Sequence, residues 1–308
     1  MSSKKPKENK KAFLYLLPAL VSISILTLIP IIYTIFLSFT NRNIKHMDEY
    51  SFVGFSNYVT ILTGDLKEIF LPVFGWTLLF ASITTLVGYI LGLLFALLLN
   101  NKNMKEKNIY KSLLIVPWAL PATIATLAWQ GLLNQDYGGI NLLLRKLHII
   151  NENIPWLSTP SLARLAIMVV SIWFTYPFMM NVCLGALQAI PETYYEAADI
   201  DGASKWTQFI KITLPSLTAS SFPLIISSFA FNFNNFGAAY LITEGGPPVV
   251  GGSPFAGSTD ILASAAYKMS MQFFRYDYAG ALAVLIFILI GGISFINMKI
   301  SGQFEEVN

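Results

Sequence analysis

Six long stretches of apolar residues dominate the sequence, and none of them alternates polar and apolar positions as a membrane β-strand does. A helix needs about 20 mostly apolar residues to cross a bilayer, and each stretch is at least that long. The pattern therefore predicts an all-α membrane protein with six transmembrane helices. The predicted spans are residues 12–39, 70–99, 112–133, 161–187, 217–242 and 278–298.

The composition supports the same conclusion. The 308 residues are 55% hydrophobic and 12% charged, with a mean hydropathy of +0.59, whereas soluble domains carry roughly 25% charged residues. A core of this size cannot hide so much apolar surface, which excludes a soluble enzyme or a nucleic-acid-binding protein. The connections between spans are short for a further domain, so we expect one transmembrane domain over residues 1–308.

The distribution of Lys and Arg predicts the orientation, because cytoplasmic loops of membrane proteins are enriched in both. With the N-terminus inside, twelve of these residues fall in inner segments and seven in outer loops. The inner segments are the tail 1–11, residues 100–111, residues 188–216 and the C-terminus. We expect a multi-pass protein of the cytoplasmic membrane with both ends inside. The first span is expected to be retained, since no clear Ala-x-Ala cleavage site follows it.

The predicted spans contain few groups that could carry chemistry. Their interiors have no Lys, Asp or Glu, and Arg164 is their one Arg. Intramembrane ionisable groups mark proton relays and ion-coupled sites, so an ion-coupled transporter is disfavoured, although carbonyl and hydroxyl oxygens can also hold sodium. The sequence has no complete P-loop, no metal-binding cluster and no catalytic constellation. We therefore expect no enzymatic activity and no cofactor or metal in this chain.

The longest predicted inner loop, 188–216, has the pattern of two short helices. Pro191-Glu192 suits a helix start, because proline is tolerated in the first turn and a carboxylate there meets the positive end of the helix dipole. The run Glu192–Asp201 predicts one short helix, and Gly202 supplies the left-handed residue that ends it. Residues 203–213 predict a second helix. Such a pair at the membrane surface has the shape of a docking element.

The same loop contains Glu196-Ala197-Ala198, followed by Asp201-Gly202-Ala203 and Ile212-x-Leu214-Pro215. This spacing resembles the EAA signature of ABC importer permeases. In that family, the two short helices fit a cleft on the cytoplasmic ATPase subunit and transmit its closure. The resemblance implies that Glu196 is a polar contact to the ATPase and that Ala197 and Ala198 allow close approach. It also implies that Gly202 makes the turn, with Asp201 in the same coupling set.

Other motifs lie on both sides of this loop. They are Val53-Gly54-Phe55-x-Asn57-Tyr58, Asn134-Gln135, Gly138-x-Ile140-Asn141, Trp156-Leu157-Ser158, Phe229–Phe236 and Thr243-x-Gly245-Gly246-Pro247. They are similar to motifs of carbohydrate-type permeases, most strongly to the larger membrane subunit of maltose/maltodextrin transporters. The resemblance implies an ABC importer permease core with the coupling helix pair between helices 4 and 5. The implied partners are a second homologous permease, two ATPases that bind ATP and Mg²⁺, an extracytoplasmic sugar-binding protein, an oligosaccharide and membrane lipids.

The fifth predicted span carries unusual neutral polarity. Ser228, Asn232 and Asn235 are spaced by four and three residues, which predicts that they share one helix face, and Phe231 lies beside them. Amide and hydroxyl groups bind sugar hydroxyls, while aromatic rings stack on the apolar faces of sugars. Such polar groups also hold helices together in membranes. The stripe therefore predicts a sugar site, with helix–helix contact as the alternative.

The fourth span contains a Trp-x-x-x-Pro stretch that is similar to one in the same family. This similarity implies that Phe174, Thr175 and Phe178 are substrate contacts. Three positions depart from the family pattern: Ser171 stands where Asn is familiar, Phe178 where Tyr is familiar, and Ala122 replaces a hydroxyl residue. With fewer hydrogen-bonding groups, we expect an altered size preference or a weaker site.

We therefore predict the membrane-spanning subunit of an ATP-driven importer of maltose- or maltodextrin-type oligosaccharides. A permease for another sugar or for glycerol phosphate is the alternative in the same class, although phosphate favours a cationic site and the spans provide none. The alternatives in other classes are an ion-coupled secondary transporter or channel and a membrane-embedded enzyme.

Overall fold

The computed structural model describes residues 6–101, 103–249, 252 and 254–300, so Lys4 and Lys5 of the predicted inner tail lie outside it. Regular structure in the described residues is helical, with one isolated β-bridge between Thr40 and Phe52. The helices are α1 (Pro6–Ile23), α2 (Ile29–Ser38), α3 (Ser56–Leu62), α4 (Lys67–Leu99), α5 (Lys107–Leu114), α6 (Val116–Ala119), α7 (Ala122–Leu132), α8 (Gly139–Lys146), α9 (Pro160–Gln188), α10 (Glu192–Ile200), α11 (Lys205–Gln208), α12 (Leu214–Phe233), α13 (Phe236–Thr243), α14 (Leu262–Met271) and α15 (Tyr276–Ile300). π-helical turns at Ser24–Leu28 and Phe209–Thr213 join α1 to α2 and α11 to α12.

Five helical stretches in the described part of the chain are long and apolar enough to cross a membrane. They are Phe13–Ser38, Lys67–Leu99, Pro160–Gln188, Lys205–Thr243 and Tyr276–Lys299. They coincide with five of the six predicted spans, and the predicted all-helical class is confirmed for the described residues.

The third predicted span, 112–133, is not one helix. It is divided among α5, α6 and α7, because Leu120 adopts an extended conformation with ψ of 144°. Steric contact with the ring of Pro121 disfavours a helical conformation at the residue before it. The prediction of an unbroken helix is wrong here, and the number of membrane crossings stays a prediction.

The described residues form two compact units, the first within 6–67 and 266–287 and the second within 68–265 and 288–300. In the first unit, Asn57 donates to the carbonyl oxygens of Ser38 and Thr40, at 2.9 and 2.7 Å. The Ser38 hydroxyl also bonds the hydroxyl of Tyr58 at 2.6 Å. The motif around Asn57 therefore closes the first loop onto the end of α2.

In the second unit, α4 and α9 approach each other closely through glycines of α4. A Cβ atom added at Gly88 would lie 2.7 Å from Cγ2 of Thr175, and one added at Gly92 would lie 2.6 Å from the backbone nitrogen of Met180. Glycine is needed where another backbone comes this close. The contact continues into a buried cluster that includes Cys183.

The loop between α7 and α9 is organised by one buried amide. Asn141 donates to the carbonyl oxygens of Gln135 and Ile154, at 3.1 and 2.9 Å. Its Oδ1 accepts from the backbone N–H of Ile154 at 3.2 Å and from the indole of Trp156 at 3.0 Å. All the hydrogen-bonding capacity of this amide is used within the loop. The motifs at 138–141 and 156–158 thus hold the C-terminal end of α7 and the N-terminal end of α9 in place.

Candidate functional site

A cavity of about 540 Å³ lies among α6, α7, α9, α12 and α13. Its volume is within the range of about 300–1,000 Å³ typical of small-molecule sites. Residues from three separate predicted spans meet there. Its lining consists of Trp118, Leu120, Ala122, Thr123, Thr126, Phe174, Thr175, Phe178, Ser227, Ser228, Phe231, Asn235, Gly237, Ala238 and Leu241.

Six of the seven predicted substrate residues line this single cavity. They are Phe174, Thr175, Phe178, Ser228, Phe231 and Asn235. The first three come from α9, and the others come from α12 and the turn that follows it. The structure therefore brings the two predicted groups together.

Asn232 does not line the cavity. Its side-chain nitrogen donates to the hydroxyl of Thr85 at 3.0 Å, so it joins α12 to α4. The residue is 1% exposed, and its Oδ1 has no hydrogen-bond partner among the described residues. The contact of Asn232 with Thr85 matches the alternative of helix–helix packing. The prediction that Ser228, Asn232 and Asn235 all share one helix face is wrong, because α12 ends at Phe233 and Asn235 lies beyond it.

The fifth predicted span is interrupted just after Asn232. Helix α12 ends at Phe233, and Asn235 caps the N-terminus of α13 by accepting from the N–H of Ala238 at 3.3 Å. Asn side chains favour such caps because they satisfy an otherwise free backbone donor. The break carries Asn235 off the face that an unbroken helix would give it. It reaches the cavity from the start of the next helix.

The cavity includes residues that sequence reasoning did not select. Thr123 and Thr126 of α7 lie three residues apart and form one wall. Trp118 of α6 adds an aromatic ring, whose centroid is 6.2 Å from that of Phe178. The paired threonines in an otherwise apolar segment were a usable signal. The Ala122 departure from the family pattern lies in the same wall.

The hydroxyl groups of the lining differ in their availability. Thr175 and Ser227 donate to backbone carbonyls one turn back, at 2.8 and 2.9 Å, as Ser and Thr commonly do inside helices. The hydroxyls of Thr123, Thr126 and Ser228 make no hydrogen bond to any other described residue. These three hydroxyls are free to bind a ligand.

The lining is electrically neutral. Its fifteen residues include no Asp, Glu, Lys, Arg or His, and the described residues contain no cluster of three His, Cys, Asp or Glu that could hold a metal. Aromatic rings supply much of the surface, and Trp173 supports them by packing edge-on against Phe174 with centroids 5.0 Å apart. Such a cavity suits an uncharged, hydroxyl-rich ligand with apolar faces.

The predicted helix pair in residues 188–216 is present. Helix α10 begins at Glu192. Pro191, with ψ of 132°, is the N-cap residue and therefore precedes the first turn instead of lying within it. Gly202 has φ of +74°, the predicted left-handed turn. The second predicted helix begins two residues later than expected, at Lys205. The chain also remains helical beyond the predicted end at residue 213, because α11 continues through the π-helical turn into α12.

The predicted coupling residues lie on the surface of this pair. Glu196 and Ala197 are exposed and Ala198 is half-buried, while Asp201 and Gly202 form the exposed turn. Ile200 and Trp206 extend the surface with side chains 87% and 71% exposed. The pair therefore presents an exposed, partly apolar surface that includes the carboxylates of Glu196 and Asp201.

Two sets of hydrogen bonds fasten α10 to the following helices. The hydroxyls of Tyr195 and Thr213 are 2.9 Å apart. Asp199 accepts from Lys205 at 2.8 Å and also from the buried amide of Gln208. These two donors, Lys205 first, lower the pKa of the Asp199 carboxyl. Because α11 runs on into α12, these hydrogen bonds connect α10 to α12.

Comparison with known proteins identifies the family. Residues 88–303 match the family described as the inner membrane component of binding-protein-dependent transport systems. The chain is 40% identical over 253 residues to the maltose/maltodextrin transport system permease protein MalF of Vibrio parahaemolyticus, and 39% identical over 250 residues to that of Escherichia coli. These alignments cover 81% and 80% of the chain. They cover 48% of each relative, so the chain spans about half the length of the curated relatives it matches.

Solved structures agree at the level of the fold. A bacterial ABC transporter involved in the import of the acidic polysaccharide alginate aligns with a TM-score of 0.80 at 21% identity, covering 97% of this chain and 98% of that chain. The MetNI methionine ABC transporter in an inward-facing conformation aligns with a TM-score of 0.52 at 16% identity, covering 77% and 96%. The predicted resemblance and membrane location are confirmed. The chain belongs to the family of inner membrane components of binding-protein-dependent transport systems, which are permeases of ABC importers and not enzymes.

Proposed function

We propose that this chain is the permease subunit through which an ABC importer moves neutral oligosaccharides of the maltose/maltodextrin type into the cytoplasm. The observation that carries the proposal is the neutral, aromatic and hydroxyl-lined cavity of about 540 Å³. The relatives at about 40% identity are named as maltose/maltodextrin permeases. An acidic polysaccharide or glycerol phosphate would favour cationic partners, and the described lining contains none.

The chemistry of the lining accounts for how a sugar would be held. The rings of Phe174, Phe178 and Phe231 offer flat apolar surfaces for the C–H faces of sugar rings. The free hydroxyls of Thr126 and Ser228 can both donate to and accept from sugar hydroxyls. Neutral hydrogen bonds of this kind contribute about 0.5–1.5 kcal/mol each. Such modest contacts let a transported ligand leave the site again.

We further propose that α10 docks on a separate cytoplasmic ATPase subunit, which supplies the energy of ATP hydrolysis. The proposed assembly has the N-terminus of this chain inside and contains a second permease, two ATPases and an extracytoplasmic sugar-binding protein. Thr213 is 15 residues before Ser228, which is about 22 Å along helical geometry. A displacement of α10 would travel along α12 to the cavity residues Ser228 and Phe231.

Reconstitution of the chain with these partners in proteoliposomes tests the proposal. Maltodextrin-loaded binding protein should stimulate ATP hydrolysis and concentrative uptake, whereas the chain alone should neither bind nor hydrolyse ATP. Uronate oligosaccharides should be poor substrates. Concentrative uptake by the lone chain that a protonophore abolishes would identify a secondary transporter instead. A preference for uronates would contradict the proposed substrate class.

Two serines of α12 provide a matched test of the cavity. Ser228 lines it with a free hydroxyl, whereas Ser220 is exposed and donates to the carbonyl oxygen of Ser216. Ser228→Ala should reduce uptake by about 2- to 12-fold, the equivalent of one lost hydrogen bond. Ser220→Ala should leave uptake unchanged. Equal uptake by both variants would remove Ser228 from the proposed site.

Two neighbouring tyrosines test the route from the ATPase to the cavity. Tyr195→Phe removes the hydroxyl that bonds Thr213, whereas Tyr194→Phe alters an exposed side chain on the same helix. We expect Tyr195→Phe to keep the ATPase bound but to lower the number of sugars imported per ATP hydrolysed. Tyr194→Phe should keep that ratio at the wild-type value. An unchanged ratio in Tyr195→Phe would show that this bond does not transmit motion.

A further inference from the structure

A group of lysines lies where the chain enters its third apolar segment. Lys105 precedes α5, and Lys107 and Lys111 lie one turn apart on α5, so they share one side of the helix. The structure gives none of the three side chains a hydrogen bond or ion pair to another described residue. Glu106 is the one acidic residue beside them. The group therefore presents excess positive charge.

The opposite side of α5 is apolar and exposed. Ile109 and Leu113, four residues apart, are 61% and 63% exposed, and Tyr110 is 50% exposed. The helix is nevertheless held in place, because Tyr176 of α9 donates its hydroxyl to the carbonyl oxygen of Leu114 at 3.0 Å. Tyr110 lies between this apolar surface and the lysines, since it is three residues from Lys107 and three from Leu113.

The lysines lie near the end of the apolar part of the fold. Leu99, the last residue of α4, packs in one cluster with Leu187, next to the end of α9. The segment that follows Leu99 and leads to Lys107 therefore starts at that end of the helices. Lys107 and Lys111 are half-buried, so their hydrocarbon stems pack on the protein while their ammonium groups can reach a polar boundary.

We propose that Lys105, Lys107 and Lys111 bind the phosphate of an anionic phospholipid, with the acyl chain lying along Tyr110 and Leu113. A phospholipid supplies both the anion that the lysines complement and the apolar chain that this exposed apolar surface complements. The phosphate would also offset the unfavourable position of Lys107 in the first turn of α5, where the helix dipole is positive. The site depends neither on the proposed transport function nor on the orientation of the chain.

Lipid titration of the purified full chain in detergent, followed by native mass spectrometry, tests this site. The variant Lys107→Gln/Lys111→Gln should bind phosphatidylglycerol about 25-fold more weakly, since each lysine near an anionic lipid surface contributes about fivefold. Binding of zwitterionic phosphatidylcholine should be unaffected. Lys107→Arg/Lys111→Arg should bind phosphatidylglycerol like the wild type, which separates loss of charge from misfolding.

The control variant Lys45→Gln/Lys67→Gln removes the same charge from two exposed lysines elsewhere. It should bind phosphatidylglycerol like the wild type. The proposal is overturned if the control loses as much affinity as the α5 variant, or if the α5 variant loses none. It is also overturned if inorganic phosphate or glycerol phosphate displaces phosphatidylglycerol at equal concentration. If Lys107→Gln/Lys111→Gln binds lipid normally but no longer associates with the ATPase, the surface binds a protein partner, and the lipid proposal is overturned.

Discussion

Replacing Gly92 with alanine tests the close contact on which the second unit depends. The added Cβ would lie 2.6 Å from the backbone nitrogen of Met180 and 2.7 Å from Cβ of Met179. Favourable contacts between heavy atoms lie near 3.5–4.0 Å, so α4 and α9 would have to move apart by about 1 Å. Overpacking of this kind costs about 1–3 kcal/mol. On the same helix, a Cβ at Gly75 would meet no atom within 4 Å.

Cys183 offers a local assay for this contact. It is the one cysteine of the sequence, it is 0% exposed, and it packs in the cluster beside the contact. If labelling follows local opening, Gly92→Ala should accelerate maleimide modification of Cys183 by about 5- to 150-fold, the equivalent of 1–3 kcal/mol. Gly75→Ala should label like the wild type. Wild-type labelling and an unchanged unfolding midpoint in Gly92→Ala would refute the contact.

Three further predictions concern the polar groups. Asn232→Leu and Thr85→Val should each lower the free energy of unfolding by about 1–3 kcal/mol, because each breaks the same buried hydrogen bond. Asn235→Ala should instead reduce sugar uptake with the ATPase still associated. Thermal unfolding and uptake assays that find normal stability in the first two variants and normal uptake in the third would contradict these roles. Glu196→Lys should weaken ATPase copurification without affecting insertion, since an exposed carboxylate is replaced by a cation; normal copurification and uptake would exclude the docking role. The pKa of Asp199 is lowered in the folded protein, so the stability difference between wild type and Asp199→Asn should be present at neutral pH and decline as the pH falls below about 4, the unfolded value. A difference that does not change at all as the pH falls from neutral to below the unfolded pKa would contradict this prediction.

The helix pair in residues 188–216 could be predicted closely, because the residues that indicate it act on their own segment. Glu192 and Gly202 act through the dipole and the left-handed turn of their own segment, and the structure places a helix and a turn where they indicate. The joining of α11 to α12 was missed, because the π-helical turn at Phe209–Thr213 has no comparable signal. Its bond from Thr213 to Tyr195 also depends on residues 18 positions apart.

The cavity could be predicted in part. Ser228 and Phe231 follow from spacing on one helix, and Phe174 and Phe178 follow from the resemblance to carbohydrate-type permeases. Thr123 and Thr126 were missed, although two threonines three residues apart in an apolar segment indicate one polar side of that helix. Asn235 was assigned to the face of α12 because continuous helical periodicity was assumed beyond the end of that helix at Phe233. The contact of Asn232 with Thr85 depends on how α12 packs against α4, for which the local sequence has no signal.

The apolar segments by themselves determine that this chain is a helical membrane protein, because the length needed to cross a bilayer is a property of consecutive residues. They also determine that the spans provide almost no ionisable groups to a ligand. Only the tertiary structure decides which neutral groups meet. The close approach at Gly88 and Gly92 sets how α4 lies on α9, and the break at Asn235 turns one amide into the cavity while Asn232 bonds Thr85. These outcomes depend on packing between distant segments, which no local pattern of residues encodes.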